Sequence, residues 1–330
     1  MARLGREAMG GWIIRTEGLS LRYRGANEDA VHDLDITIEG GTIQGILGPN
    51  GAGKTTTLAM LCGLLKPTRG RVRFSDEIDA GSVRRSIGFV PQDLALYPGL
   101  TGRENLAFFG RLYGVVGERV VKRIDALLEM VGLEERADDV VRHYSTGMKR
   151  RLNLAAGLVH EPSIILLDEP TVGIDPQSRN RILDAVLELR RNGVSILYTT
   201  HDMEEASRLC DAIVIIDRGR VLLEGDPGVI VAEHGRTRME LTAAGAGDAI
   251  VEEIAGLDGV DEAGLDAGVL VVQLPGDGDP MQMIETIGRI ARSRGVEIVL
   301  RGIVEPSLET IFLDITGRCL RDESSDGWEA

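Results

Sequence analysis

Residues 48–55 read Gly-Pro-Asn-Gly-Ala-Gly-Lys-Thr, a G-x-x-x-x-G-K-T spacing whose chemistry is anion capture. The glycines Gly48, Gly51 and Gly53, with Asn50 and Ala52 between them, let successive backbone N–H groups turn inward as a nest. A helix opening directly after the loop points its positive end at the same place. Lys54 would reach the β- and γ-phosphates of a nucleoside triphosphate, and the Thr55 hydroxyl would ligand Mg²⁺. Pro49 and Thr56 complete the set of expected contacts. The apolar run 42–47 before the loop reads as a strand, and 56–65 after it as an apolar helix. That strand–loop–helix context is what the spacing requires. Many unrelated machines share such a loop, so it fixes the ligand class and not its use.

Further along, Ile164-Ile165-Leu166-Leu167-Asp168-Glu169 has the form of a buried strand ending in two carboxylates. Asp168 would hold Mg²⁺ across from Thr55, directly or through water. Glu169, one residue on, would polarise an attacking water. Ahead of this strand stands Tyr144-Ser145-Thr146-Gly147-Met148-Lys149. Ser145 can cap the helix carrying Met148, Leu152, Ala155 and Val159. Its hydroxyl, the Gly147 amide and the helix dipole then form a second anion site.

The segment 144–149, lying between the other two motifs, resembles the signature of ATP-binding cassette (ABC) proteins. It departs from the family pattern in one place, with Thr146 standing for the first glycine of the usual pair. The resemblance implies that the signature of one subunit faces the ATP of another, two ATP molecules being sandwiched between two cassettes. It also implies roles for four more residues. Tyr23 matches the aromatic that stacks on adenine. Gln92, in Val90-Pro91-Gln92-Asp93, matches the loop that contacts Mg²⁺ or water and couples to the transport partner. Asp175, in Gly173-Ile174-Asp175-Pro176, matches the loop that crosses the dimer interface. His201, in Thr199-Thr200-His201-Asp202, matches the switch histidine at the γ-phosphate. A lone histidine at a strand end is ordinarily structural; its company here reverses that reading. Each motif occurs once, in family order, over residues 12–226.

The segments 92–106 and 307–318 are similar to the ATPase subunits of ABC-2-type exporters, the second to daunorubicin-resistance-type efflux ATPases in particular. That resemblance implies ATP and Mg²⁺ as cofactors, a homodimer of ATPase subunits, and a separate integral-membrane permease. The chain would then sit peripherally at the cytoplasmic face of the membrane. Substrates in such systems include drugs, lipids, polysaccharides and sodium. Two alternatives stand beside it. An importer ATPase would be betrayed by a neighbouring gene for a substrate-binding protein. A non-transport cassette acting on ribosomes or DNA fits less well: there is one cassette here, and no long coiled coil separates Lys54 from Ser145.

The elements that must position these residues follow from composition and periodicity. A chain of 330 residues, 43% hydrophobic and 27% charged, can bury the cores of two domains. The formal net charge of −15 argues against a nucleic-acid partner and against electrostatic adhesion to an anionic membrane. Only four lysines accompany 33 arginines, a bias that genome composition alone would explain. Cys62, Cys210 and Cys319 are far apart, so reduced thiols are expected rather than a metal site or disulfide. No signal peptide is expected from the first ten residues, and no run approaches the ~20 apolar residues of a membrane helix.

Strands are expected at 13–23 and 33–38 from their alternation, and near 71–74. Thr101-x-x-Glu104 is a capping box opening a helix with Leu106, Phe109 and Tyr113 on one face. Val120, Ile124, Leu127 and Val131 mark a second helix, making residues 99–160 a helical insert. Strands at 164–167 and 194–198 flank a helix lined by Ile182, Val186 and Leu189. The fold expected for 12–226 is therefore α/β: a P-loop NTPase with a parallel-sheet core, a β subdomain and a helical subdomain. Strands at 213–216 and 221–223 close it, and Gly225-Asp226-Pro227-Gly228 breaks the pattern.

Residues 237–318 read as a small α+β, ferredoxin-like accessory domain. Strands are expected at 239–241, 269–274 and 296–300, with helices at 250–254 and through Met281, Ile284, Ile287 and Ala291, in β-α-β-β-α-β order. Leu308, Ile311, Phe312 and Ile315 form the apolar stripe of a closing helix, to be buried on its own domain or on a sister subunit. A role as dimer prop is expected for this domain, a small-ligand sensor being the alternative. Residues 1–11 are expected to be a leader and 319–330, with Asp322, Glu323 and Asp326, a disordered acidic tail.

Overall fold

The computed structural model describes residues 11–75, 78, 83–276 and 278–316. Residues 1–10 of the leader, Cys319 and the acidic tail lie outside the described residues. The chain divides into two compact units between Glu224 and Gly225, earlier than the boundaries at 226 and 237 read from sequence.

The first unit opens with β1 (Trp12–Leu21), β2 (Val31–Leu34) and β3 (Thr37–Glu39), then β4 (Ile43–Leu47), α1 (Lys54–Leu61), β5 (Arg69–Phe74), α2 (Val83–Ser86) and β6 (Ile87–Val90). The helical insert contributes α3 (Gly102–Leu112), α4 (Glu118–Met130) and α5 (Thr146–Leu158). The core resumes with β7 (Ile164–Asp168), α6 (Pro176–Arg191), β8 (Ser195–Thr200), α7 (Met203–Leu209), β9 (Ala212–Asp217) and β10 (Arg220–Gly225).

Two sheets share the work. In one, β1 pairs antiparallel with β2, β3 and β5. The other is six-stranded, in the order β10-β9-β4-β8-β7-β6, and β9, β4, β8, β7 and β6 run parallel. Every residue of β4 and β7 is buried, as strands covered on both faces must be. Their continuous apolar runs carry the phosphate loop and Asp168 out at neighbouring strand ends, where α/β sheets bind ligands.

Three sequence expectations change in this unit. The run 33–38 is two strands rather than one, because Asp33 takes a left-handed φ of 52° and the chain leaves the sheet at 35–36. The first strand ends at Leu21, so Tyr23 stands in the loop beyond it. The helix after the phosphate loop is shorter than 56–65, running Lys54–Leu61 and closing at Cys62. The capping box is present: the Thr101 hydroxyl accepts from the Glu104 N–H at 3.1 Å, and Glu104 accepts from the Thr101 N–H at 2.9 Å.

The second unit comprises α8 (Pro227–His234), β11 (Arg236–Ala244), α9 (Asp248–Ala255), β12 (Glu262–Asp266), β13 (Val269–Pro275), α10 (Pro280–Ser293), β14 (Glu297–Val304) and α11 (Leu308–Thr316). The supposed pattern break at 225–228 is a helix start: Asp226 accepts from the Gly228 and Val229 N–H groups, with Pro227 at the first helical position. The strands order as β12-β13-β11-β14, every neighbouring pair antiparallel. Met239, Leu241, Leu270, Val272 and Leu274 from the sheet pack with Ile250, Ile254, Ile287 and Ala291 from α9 and α10. Met281, expected on the buried stripe of α10, is exposed. In α11, Leu308, Ile311 and Phe312 are buried and the helix packs on α8 of its own unit, whereas Ile315 is exposed. The closing stripe thus has its partner within this unit.

Candidate nucleotide site

A cleft of about 500 Å³ opens beside the phosphate loop, lined by Tyr23, Ala30, Asn50, Gly51, Gly53, Lys54, Thr55, Thr56, Gln92 and Glu169. The loop's sharp path depends on its glycines. A Cβ on Gly48 would stand 2.2 Å from the Ile216 carbonyl oxygen, and Gly53 has φ 105° with the Ala30 oxygen 2.6 Å from any Cβ. Ala52 is buried in the core, and its N–H donates to the Pro49 oxygen at 3.2 Å. Among the loop residues expected to touch a nucleotide, Ala52 therefore contributes shape and not a side chain.

Lys54 is buried and fully engaged. Its Nζ donates to the carbonyls of Gly48 at 2.7 Å and Pro49 at 2.9 Å, and lies 3.0 Å from Glu169 Oε1. Glu169 follows β7 with a left-handed φ of 45°, which swings its carboxylate into the cleft. His201 Nδ1 and Gln92 Nε2 each approach Glu169 Oε2 at 3.5 Å. Burial pushes the Glu169 carboxyl up, but the His201 contact and the Lys54 charge together overcome it and hold the group at about 2. The same Glu169 carboxylate raises His201 above its ordinary value, against a smaller opposing effect of burial.

Asp168 ends β7 fully buried. Its Oδ1 accepts from the Thr199 hydroxyl at 2.9 Å, and its Oδ2 has no hydrogen-bond partner. Burial raises its carboxyl, opposed by the hydroxyls of Thr55 and Thr199. An orphaned carboxylate oxygen near Thr55 is what a hard cation with oxygen ligands would use, so the residues present fit Mg²⁺. On the rim, the Tyr23 hydroxyl bonds the Thr56 hydroxyl at 3.0 Å and its half-exposed ring borders the cleft.

Ser145, Gly147 and Asp175 gather elsewhere. Ser145 caps α5, accepting from the Met148 N–H at 3.2 Å, and Asp175 caps α6, accepting from the Ser178 N–H at 2.9 Å. The two helix starts press together at Gly147, where an added Cβ would meet the Ser178 Oγ at 2.1 Å and Asp175 Oδ2 at 2.9 Å. None of the three lines this cleft among the described residues.

Sequence reading missed the residues that hold the site in place. Thr199, at the end of β8, binds Asp168 Oδ1 and also accepts the Glu169 N–H at 3.0 Å. Arg150 of α5 donates to the Gln92 carbonyl, tying the helical insert to the glutamine loop. Buried Glu205 accepts from Thr171, Thr200 and Arg179, each at 3.1 Å, and Arg179 also pairs with Asp202 next to His201. The signal for Thr199 was the threonine pair before His201, polar side chains at the end of an otherwise apolar strand.

The ABC transporter family model matches residues 31–172. The chain is 37% identical to the linearmycin resistance ATP-binding protein LnrL of Bacillus subtilis, over 94% of this chain and 100% of that one. It is 38% identical to the daunorubicin resistance ATP-binding protein DrrA3 of Streptomyces coeruleorubidus, over 92% and 96%. Among solved structures it is similar to the dimeric structure of MJ0796, described as a bacterial ABC transporter cassette. That likeness has a TM-score of 0.58 and 30% identity, over 65% of this chain and 98% of that one.

Proposed function

The chain belongs to the ABC transporter family of ATP-hydrolysing, ATP-binding subunits, and from that premise we propose that it energises export through a separate membrane permease. The observation that carries this reading is the convergence of Lys54, Asp168, Glu169, Gln92 and His201 on one cleft beside the phosphate loop. Efflux rather than uptake is supported by LnrL and DrrA3, two resistance proteins that the chain parallels along nearly their whole lengths.

The Lys54 ammonium pairs with Glu169 and donates to the loop carbonyls of Gly48 and Pro49. The triphosphate of ATP competes for that ammonium, and its arrival draws Lys54 from Glu169. Losing that counter-charge lets burial raise the Glu169 carboxyl, which becomes a better acceptor for a proton from water. His201 stays beside Glu169, where its ring can donate to the terminal phosphate. Mg²⁺ held by Thr55 and Asp168, with Gln92 near, would offset phosphate charge. Tyr23 offers the adenine a ring face.

Ser145 and the Gly147 amide serve the ATP of a second copy, so the working unit is a homodimer, as MJ0796 is in its dimeric structure. The permease partner is supported by apolar side chains left open on and before the helical insert: Leu94, Tyr97, Leu112 and Val116. Among the described residues no helix is long and apolar enough to cross a membrane. On this reading the permease holds the chain at the cytoplasmic face. We read the second unit, with its β-α-β-β-α-β order, as a ferredoxin-like accessory domain.

The test is Glu169→Gln. It should retain ATP, lose about 10²–10⁴-fold in turnover, and accumulate as an ATP-bound dimer. Lys54→Ala should instead lose nucleotide affinity. Near-normal turnover by Glu169→Gln would remove Glu169 from the reaction.

A further inference from the structure

Strand β14 bonds β11 on one side, and among the described residues no strand pairs with its other side. This edge reads Glu-Ile-Val-Leu-Arg-Gly-Ile-Val; it holds no proline or lysine, and its charges Glu297 and Arg301 and the bulge at Arg301 are what set which strand it can accept. Val299, Leu300 and Val304 are exposed along it, Val299 at 56%.

The direction of the free backbone groups follows from the register. Ala243 donates its N–H to the Gly268 oxygen, on the β13 side of β11. Alternation then turns Thr242 and Ala244 towards β14, so their register partners Val299 and Glu297 face inward. Ile298 and Leu300 therefore present their N–H and C=O groups to the open edge.

We propose that β14 pairs antiparallel with β14 of a second copy of this chain, about a two-fold axis at Val299, fusing the two four-stranded sheets into one. The proposal deepens the homodimer reading above by adding an interface that needs no nucleotide. Three registers bring the free groups of Ile298 and Leu300 into play, centred on Ile298, Val299 or Leu300. Only the one centred on Val299 sets Glu297 of each copy opposite Arg301 of the other, and does so twice. It also makes Ile298 and Leu300 a hydrogen-bonded pair, with Val299 facing itself as a close non-hydrogen-bonded pair. Arg301 suits the role. It is the bulged residue between Leu300 and Gly302, skipped in the backbone register with β11. Its Nε donates to the Thr242 hydroxyl at 2.7 Å, and Thr242 shares the sheet face of Val299 and Glu297.

The experiment uses the full chain without nucleotide. In antiparallel non-hydrogen-bonded pairs the Cα atoms lie about 4.5 Å apart, within disulfide reach. Val299→Cys should therefore oxidise to a covalent dimer. Val229→Cys, at a similarly exposed position on α8 (51%), should not. Placing Glu297→Arg or Arg301→Glu in the Val299→Cys chain should lower its dimer association about tenfold, through two like-charged pairs per dimer, and the double reversal should restore it. Equal cross-linking of the two cysteine variants would overturn the proposal. So would a double reversal no better than either single one, or a Val299→Cys chain that stays monomeric and leaves the edge to a strand of another protein. Since ATP turnover is not read, these failures are separate from any failure of Glu169→Gln.

Discussion

Thr199→Val tests whether one hydroxyl sets the geometry of both acidic residues. The hydroxyl donates to Asp168 Oδ1 and accepts the N–H of Glu169, the residue held at φ 45°. Valine keeps the shape and removes both bonds. Thr199 is fully buried, so water cannot replace them, and the Glu169 N–H left without an acceptor costs about 1–3 kcal/mol. The catalytic consequence is larger. A left-handed non-glycine backbone is held only by its surroundings, and a misplacement of about 1 Å at a reacting group costs about 10²-fold. Thr199→Val should therefore bind ATP through an intact Lys54 and phosphate loop, while steady-state hydrolysis falls by that order. Thr199→Ser, which restores the hydroxyl, should recover most of it. The stability loss should appear as faster native-state hydrogen exchange of the β7 and β8 amides. Turnover within twofold of the parent, with exchange unchanged, would show that Thr199 is a bystander.

His201 should titrate above 6.5 by NMR in the nucleotide-free chain and move down in Glu169→Gln, because the neighbouring carboxylate is what raises it. The stability this histidine contributes is full below 6.5 and is lost as pH rises through its raised value. The contribution of Glu169 has the opposite sign: it is present above 4.5 and lost as pH falls towards about 2, which acid unfolding of the parent and of Glu169→Gln should separate. Gly147→Ala should destabilise the junction of α5 and α6 by about 1–3 kcal/mol, since its methyl meets Ser178, and unchanged thermal stability and hydrolysis would refute that packing role. Phe312→Ala should cost the second unit about 3–5 kcal/mol, seen as lost exchange protection in α8 and α11 while ATP binding persists; protection left intact would mean the ring is not part of that core.

The cassette was legible because its chemistry demands residue types at fixed chain spacings. An anion nest needs small residues in sequence, and a strand-end carboxylate needs the apolar run that buries it, so both leave local marks. Thr199, Glu205 and Arg179 act across strands and helices, and apart from the nearby Thr200 their partners lie 23 to 34 residues away in the chain. A threonine in a strand and a glutamate in a helix carry no local sign of such work. Helix α8 was missed for a related reason. Gly-Asp-Pro-Gly is turn chemistry until the next turn shows that Asp226 is a cap and Pro227 the first helical residue.

The second unit shows where periodicity stops informing. Strand β12, Glu-Ala-Gly-Leu-Asp, alternates through Ala263 and Leu265 alone, too short and weakly apolar a run to stand out, so only the β-α-β-β-α-β order required a strand there. The apolar stripe of α11 was visible, but a stripe records that a face is buried and not by what. Its partner is α8, nearly 80 residues earlier in the same unit, so the stripe is already used within one subunit. The edge proposed for a second copy is that of β14, and no hydrophobic pattern announces an edge. It follows from the spatial order 12-13-11-14, in which the last strand pairs with the first and stands outermost, with Glu297 and Arg301 four residues apart along it.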